Sequence, residues 1–218
     1  MSNPVKPRLL ITHSLLNSWV YMLKNPEDTF DEASQKYINS AYDSFINTLN
    51  RIETEPTKSM LAGREFERLV SDVVNGKDVN HVWLDGATQI AGIIRQDNHF
   101  EQVKLFKEVT ISDLNYLLYG VLDWFGSGHI YDVKFTENIG NYDVGKYFDN
   151  TQHRMYFALT YGADEFAYLI SNGHKVYTET YRRDECRPIE VTIVEFAKWL
   201  KSYNLWDIYA EKWQTKMK

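Results

Sequence analysis

Cysteine, proline and glycine are scarce in this sequence, and positive charge is in deficit. Its 218 residues include one cysteine, Cys186, with 5 prolines and 11 glycines. A lone cysteine excludes a disulfide framework within the chain, and any zinc or iron–sulfur site built from several cysteines. There are no repeats, low-complexity tracts or Pro/Gly-rich linkers, so residues 1–218 are expected to form one domain. No uninterrupted apolar run reaches the roughly 20 residues that span a bilayer. Met1 to Lys6 leads into no apolar signal core. These absences point to a soluble protein of a reducing, cytoplasmic compartment, with no membrane partner. With 24 Lys+Arg against 30 Asp+Glu the net charge is −6. That average speaks against an evenly basic nucleic-acid binder, so any such role must rest on local pattern.

Apolar residues make up 44% of the chain and aromatics 15%, enough for a sizeable core. Helical spacing predicts a first helix from about Thr12 or Ser14 to Pro26, carrying Leu15, Leu16, Trp19, Val20 and Leu23. A second is expected over Phe30 to Leu49, with Phe30, Ala33, Tyr37, Ala41, Phe45 and Leu49 on one face. A third is expected over Ser59 to Val74. Val79 to Arg95 reads either way, because Gly86 and Gly92 weaken both assignments. The period then changes to two. Val103 to Val109, Leu114 to Phe125 and Ile130 to Thr136 read as strands, with a turn at Gly126-Ser127-Gly128. A polar loop, Glu137 to Asn150, precedes a short helix at Thr151 to Tyr161. Phe166 to Ile170 and Lys175 to Tyr181 flank Asn172-Gly173, a hairpin signal. The last helix is expected to open on a capping box, Thr192-Ile193-Val194-Glu195. This order implies an α/β fold around a central mixed sheet: residues 12–98 mainly helical, 100–183 the sheet core, 192–217 a final helix.

Chemistry concentrates in Gly120-Val121-Leu122-Asp123 and Tyr131-Asp132-Val133-Lys134. A two-residue turn at Ser127-Gly128, or a four-residue one from Gly126 to His129, sets Asp123 opposite Asp132. A three-residue loop separates them onto opposite faces. Lys134, two residues on, shares the face of Asp132. Two carboxylates about 5 Å apart repel, and a hard divalent cation with oxygen ligands relieves that repulsion. The plain alternative is a solvated strand end with a salt bridge. Against it stands the apolar setting: Leu117, Leu118, Val121, Leu122, Trp124, Phe125, Ile130 and Val133. Upstream, Gly63-Arg64-Glu65-Phe66-Glu67 offers Glu67 as a further carboxylate. Downstream, Gln152 and Tyr156 lie four apart on one helix face.

The ordered set Glu67, Gly120-x-x-Asp123, Asp132-x-Lys134, Gln152-x-x-x-Tyr156 resembles the RecB-like branch of the PD-(D/E)xK nuclease superfamily. Ser14-Leu15-Leu16-Asn17-Ser18-Trp19 resembles that branch's N-terminal Ser-x-Leu-x-x-aromatic helix. The similarity touches residues 11 to about 160. It implies a restriction-endonuclease-like core and a Mg²⁺- or Mn²⁺-dependent phosphodiesterase acting on DNA, more an exonuclease than a site-specific endonuclease. In that reading Asp123, Asp132, Glu67 and the Val133 carbonyl hold one or two ions. Lys134 positions the attacking water and stabilises developing charge. Gln152, Tyr156 and Arg154 orient the lysine or touch the DNA backbone. Many relatives carry histidine in a G-x-x-x-H pattern, whereas Gly63-x-x-x-Glu67 is more similar to viral recombination exonucleases. That similarity implies a bacterial or virus-encoded recombination or repair context. It admits a single-strand-annealing or recombination partner protein and a homo-oligomer. Iron–sulfur relatives need four cysteines, so that cofactor is excluded, and the sequence holds no Walker A motif.

Two other readings compete: a catalytically silent nucleic-acid- or protein-binding module, and an endonuclease that takes its specificity from a partner. Arg154, His174, Lys175, Arg182, Arg183 and Arg187 form a basic run, to which Lys134, Lys146 and His153 could add. The run reads either as a phosphate groove or as ordinary surface. Tyr142, Tyr147 and Phe148 read either as base-stacking loop residues or as core. His13, His81, His99 and His129 show no metal-ligand spacing, which argues against a zinc hydrolase.

Overall fold

Four short polar side chains start four helices. Thr12, Asn39, Thr57 and Asn150 each accept a backbone N–H two or three residues on, satisfying one of the donors a helix start leaves free. The computed structural model describes residues 8–27, 29–31, 36–141 and 144–215. In chain order the elements are β1 (Arg8–Thr12), α1 (His13–Lys24), β2 (Thr29–Asp31), β3 (Lys36–Ile38), α2 (Ser40–Leu49), α3 (Lys58–Val74) and α4 (Leu84–Ile94). There follow β4 (His99–Ile111), β5 (Leu114–Gly126), β6 (His129–Phe135), α5 (Thr151–Leu159), β7 (Glu165–Ser171) and β8 (Val176–Arg182). The chain closes with α6 (Ile189–Ser202), α7 (Trp206–Lys212) and β9 (Gln214–Thr215). Among the described residues no helix is long and apolar enough to cross a membrane.

Seven strands form one mixed sheet in the order β8-β7-β6-β5-β1-β9, with β4 also paired to β5. β6–β7 and β1–β5 are parallel, and the other pairs are antiparallel. Two cores cover its two sides. One joins α1, α2, α5, α6 and α7 to Leu118, Leu122, Ile130, Phe166, Tyr168 and Ile170. The other joins α3 and α4 to Trp124, Tyr131, Val133, Ala167 and Leu169. The alternation along β7, with 166, 168 and 170 to one core and 167 and 169 to the other, is what strand geometry demands.

Several expectations are corrected. β1, just ahead of the mainly helical part, joins the main sheet, and β2 pairs with β3 where a helix from Phe30 was expected. That helix starts only at Ser40, capped by Asn39, and Ala33 lies outside the described residues. The ambiguous stretch contains α4. Its Gly86 is needed because a Cβ there would meet the Gly173 carbonyl carbon at 2.6 Å, where the Gly86 N–H donates to the Gly173 carbonyl oxygen at 2.7 Å. The capping box does not operate. The last helix starts three residues earlier, after Pro188, and breaks at Asn204 (φ 57) into α6 and α7. Thr192 lies inside α6, where its hydroxyl accepts from Arg154.

Candidate active site

The site is set by how β5 divides its neighbours. β5 pairs with β4 from Leu114 to Gly126, with a single break at Asp123. On its opposite edge Trp124–Gly126 pair with β6, and Tyr116–Tyr119 pair with β1. Between those stretches, residues 120–123 face a fork. The β5–β6 turn is Ser127-Gly128, with φ of 49° and 87°, the left-handed pair of a tight hairpin. Its register runs Gly126↔His129, Phe125↔Ile130, Trp124↔Tyr131, so Asp123 and Asp132 come next as the strands part. Side chains satisfy the backbone at the fork. Asp123 Oδ2 accepts the Val133 N–H at 3.3 Å, and the Tyr156 hydroxyl donates to the Val121 carbonyl at 2.6 Å.

The alternation of β5 inverts at Asp123: Leu122 packs in the first core, and Trp124, two residues on, in the second. Opposite Asp123 in the β4 register stands Gln102, whose φ is 51°, a strained value for a residue with a Cβ. Asp123 therefore sits where the hairpin turns over, between the two layers. That lets it meet a carboxylate from each. Glu67, on α3, shares a hydrogen bond with it, and Asp132 lies on the side of α5, where Gln152 reaches it. Burial raises the Asp123 carboxyl well above the ordinary range, with Asp132 and Glu67 adding to it against Lys134 and the Val133 N–H. Burial likewise raises Glu67, opposed by its hydrogen bond with Asp123.

Asp132 is 1% exposed. Its Oδ1 accepts from the Gln152 amide, and its Oδ2 is ion-paired with Lys134 Nζ. Despite that contact Oδ2 is buried without a hydrogen bond of its own. Burial works to lower the Lys134 pKa, but Asp132 and then Asp123 prevail and hold it above the usual lysine value. Lys134 Nζ lies 5.7 Å from the centre of the Tyr168 ring, and Tyr147 stacks on that ring at 4.3 Å. Glu179 pins the loop carrying Tyr147 by accepting the N–H groups of Gly145 and Tyr147 at 3.3 and 3.2 Å. So Tyr147 packs inward, Phe148 stays exposed, and Tyr142 lies outside the described residues.

Thus Glu67, Asp123, Asp132, Lys134, Gln152 and Tyr156 gather at the fork. Arg154 does not: its guanidinium donates to the Arg187 and Pro188 carbonyls and to Thr192. Much of the rest of the basic run is engaged too, although Lys146 and Lys175 are exposed. Arg183 donates to the Phe157, Thr160 and Ala163 carbonyls at 2.5, 3.0 and 2.7 Å, and Arg187 pairs with Glu195. His153 is buried and stacked on Tyr181 at 4.3 Å. Burial, then Arg154, lowers its pKa to about 3, so it brings no charge to a groove near neutral pH. Arg183→Ala strips donors from three carbonyls. It is expected to cost about 2–3 kcal/mol, a Tm fall of roughly 4–12 °C for a chain of this size. Thermal melting checks this.

Two neighbours of the site escaped the sequence reading. Gln102 Nε2 donates to Glu67 Oε1 at 3.4 Å. Its signal was Ser112-Asp113: both have positive φ, and a two-residue turn there puts residue 102 opposite 123. His13 opens α1 edge-on to Tyr156, with ring centres 5.4 Å apart, and its Nδ1 is buried without a partner. Burial lowers its pKa to about 4, with Asp132 pulling it up and Lys134 down.

Hard divalent cations favour oxygen ligands such as the Asp123 and Asp132 carboxylates. Among the described residues no three His, Cys, Asp or Glu side chains alone form a metal cage. An ion held here would therefore take one or two carboxylates and complete its shell with water or phosphate oxygens, as magnesium does. Carboxylates with raised pKa bind their protons more tightly folded than unfolded. Their contribution to stability is complete below the ordinary carboxylate pKa, about 4, and is lost as pH rises through the raised value. In EDTA at pH 7, Asp123→Asn is therefore expected to melt several degrees above the parent protein. The gap should narrow on acidification, and added Mg²⁺ should raise the melting point of the parent only.

A mixed seven-strand sheet flanked by helices, forked at its acidic centre, is a restriction-endonuclease-like fold. The chain is similar to the crystal structure of SSO0001, at 13% identity and a TM-score of 0.51, covering 92% of this chain and 79% of that one. It also matches the crystal structure of Scheffersomyces stipitis Rai1 at 11% identity and a TM-score of 0.37, over 90% of this chain and 62% of that one. No family model and no curated protein matches the sequence.

Proposed function

We propose that this chain is a Mg²⁺- or Mn²⁺-dependent DNA nuclease of the RecB-like type, acting as an exonuclease in recombination or repair. The observation that carries the reading is the meeting of Glu67, Asp123 and Asp132 at one fork with Lys134 paired to Asp132. Asp123, Asp132 and the Val133 carbonyl would hold the cation, with Glu67 joining directly or through water. The ion would activate water and offset charge on the phosphate. Lys134, held protonated, acts as a fixed positive charge beside the phosphate oxygens, stabilising the charge that builds during attack. Gln152 holds the Asp132 carboxylate by one oxygen. Tyr156 anchors α5 to the open strand edge through the Val121 carbonyl. The buried pocket around Asp132 keeps bulk water from weakening these charges.

A silent binding module is the second reading, and one observation favours it: Gln152 and Lys134 already occupy both Asp132 oxygens. Linear, closed-circular and single-stranded DNA incubated with Mg²⁺ or Mn²⁺ separates the readings, with Asp132→Ala as control. Loss of linear DNA alone supports an exonuclease, and nicked circles support an endonuclease. Intact DNA throughout, with folded protein, supports the silent module.

A further inference from the structure

Most of the cations assigned from the sequence to a DNA groove are held by partners within the protein, Lys175 and Lys146 excepted, and others stand free beside the site. On α3, Arg64 and Arg68 are exposed and one turn apart, so they share a face, and Glu67 lies between them in sequence. Lys104 on β4 is exposed as well. None of the three has a hydrogen bond or ion pair among the described residues. Nearby acids are engaged: Glu65 with His81 at 3.2 Å, Asp72 with Lys77 at 2.6 Å, Glu101 with Asn75 at 3.2 Å.

The sheet extends this surface. Val103, Leu105 and Val109 pack into the first core, so Lys104 and Phe106 point to the other side, where α3 and α4 lie. Phe106 is 73% exposed, and Tyr119 stands opposite it in the register. Counting along the strand, Lys104 lies about 7 Å and Phe106 about 13 Å from Gln102, the residue facing Asp123. An unpaired cation followed by an open aromatic ring is what an extended single strand requires: charge for its phosphates and a platform for a base.

Resting on the nuclease reading, we infer that Arg64, Arg68, Lys104 and Phe106 form a single-strand nucleic-acid track that delivers the phosphodiester to the fork. The test is fluorescence anisotropy with a labelled single-stranded oligonucleotide in EDTA, where no metal-dependent cutting occurs, across a salt series. Arg64→Glu/Arg68→Glu should weaken binding at least tenfold and flatten the log–log salt slope by about 1.4, since each phosphate contact on a single strand contributes about 0.7. Phe106→Ala should cost about fivefold or more on the single strand and leave weaker duplex binding unchanged. Arg182→Glu, in the C-terminal basic run, should change binding less than twofold. All four positions are exposed, and circular dichroism verifies folding.

Unchanged binding in the α3 variant, or a larger loss from Arg182→Glu, would overturn the track. So would duplex binding tighter than single-strand binding, or a shift in sedimentation with Phe106→Ala, which would make the face a contact with a second copy. The parent protein's cleavage in Mg²⁺ separates the two ideas. If it cuts DNA while the variants bind normally, only the track fails. If it neither binds nor cuts any nucleic acid, both fail.

Discussion

Lys134→Ala should reduce metal-dependent DNA cleavage by about a thousandfold, the upper range for removing one preorganised stabilising group from an active site. The reason is local. Lys134 reaches the fork from the strand that carries Asp132, pairs with that carboxylate and is backed by the Tyr168 ring. Its pKa is held above the ordinary value, so it serves as a charge and not as a base near neutral pH. Lys134→Arg should restore little, because the planar guanidinium is not a compact ammonium and cannot reproduce its single contact with Asp132. Removing the lysine also strands Asp132 in a buried position, a loss of about 3–5 kcal/mol where an ion pair is broken on one side. Activity must therefore be scored per folded molecule, with folding followed by circular dichroism. Cleavage within tenfold of the parent by folded Lys134→Ala would refute the assigned role.

Gly120→Ala comes next in size, and here the sign is informative. In an open strand position, glycine to alanine gains roughly 0.5–1 kcal/mol. At Gly120 a Cβ would stand 2.6 Å from Tyr156 Cε1 and 3.0 Å from Leu159 Cδ1, so α5 would have to move off the strand. A loss of about 1–3 kcal/mol is expected instead, or some 2–12 °C in Tm. Displacing Tyr156 also releases the Val121 carbonyl and withdraws Gln152 from Asp132, since both side chains ride on the same helix. Cleavage should fall with stability. Gly92→Ala, on α4 with nothing within 4 Å of the new Cβ, is the control and should stabilise. Differential scanning calorimetry on the two variants decides the matter.

Much of the fold was legible because it is written locally. Apolar spacing announced helices near Thr12, Ser59 and Thr151, and Ser127-Gly128 announced a hairpin through its tolerance of positive φ. Once that turn has two residues, arithmetic brings Asp123 and Asp132 to neighbouring positions. The second helix misled because the face read from Phe30 to Leu49 joins residues from a two-stranded sheet and a helix that starts at Ser40. The capping box misled because Thr192 satisfies Arg154 and not its own helix start.

By itself the sequence determined where most strands run, where α1, α3 and α5 start to within a residue or two, and the residue types at the acidic centre, since each depends on neighbours a few positions away. Tertiary structure alone decided that β1 and β6 share one edge of β5 and leave a fork at residues 120–123. It decided that Gln102 turns the hairpin over beside Asp123, and that His13 comes to lie against Tyr156. It also decided which cations are free. Arg154, Arg183 and Arg187 looked like a groove, but Arg154 and Arg183 are drawn onto backbone carbonyls and Arg187 pairs with Glu195 at the surface, and only three-dimensional packing brings those acceptors within reach. Arg64, Arg68 and Lys104 meet no such acceptors, so their charge remains at the surface.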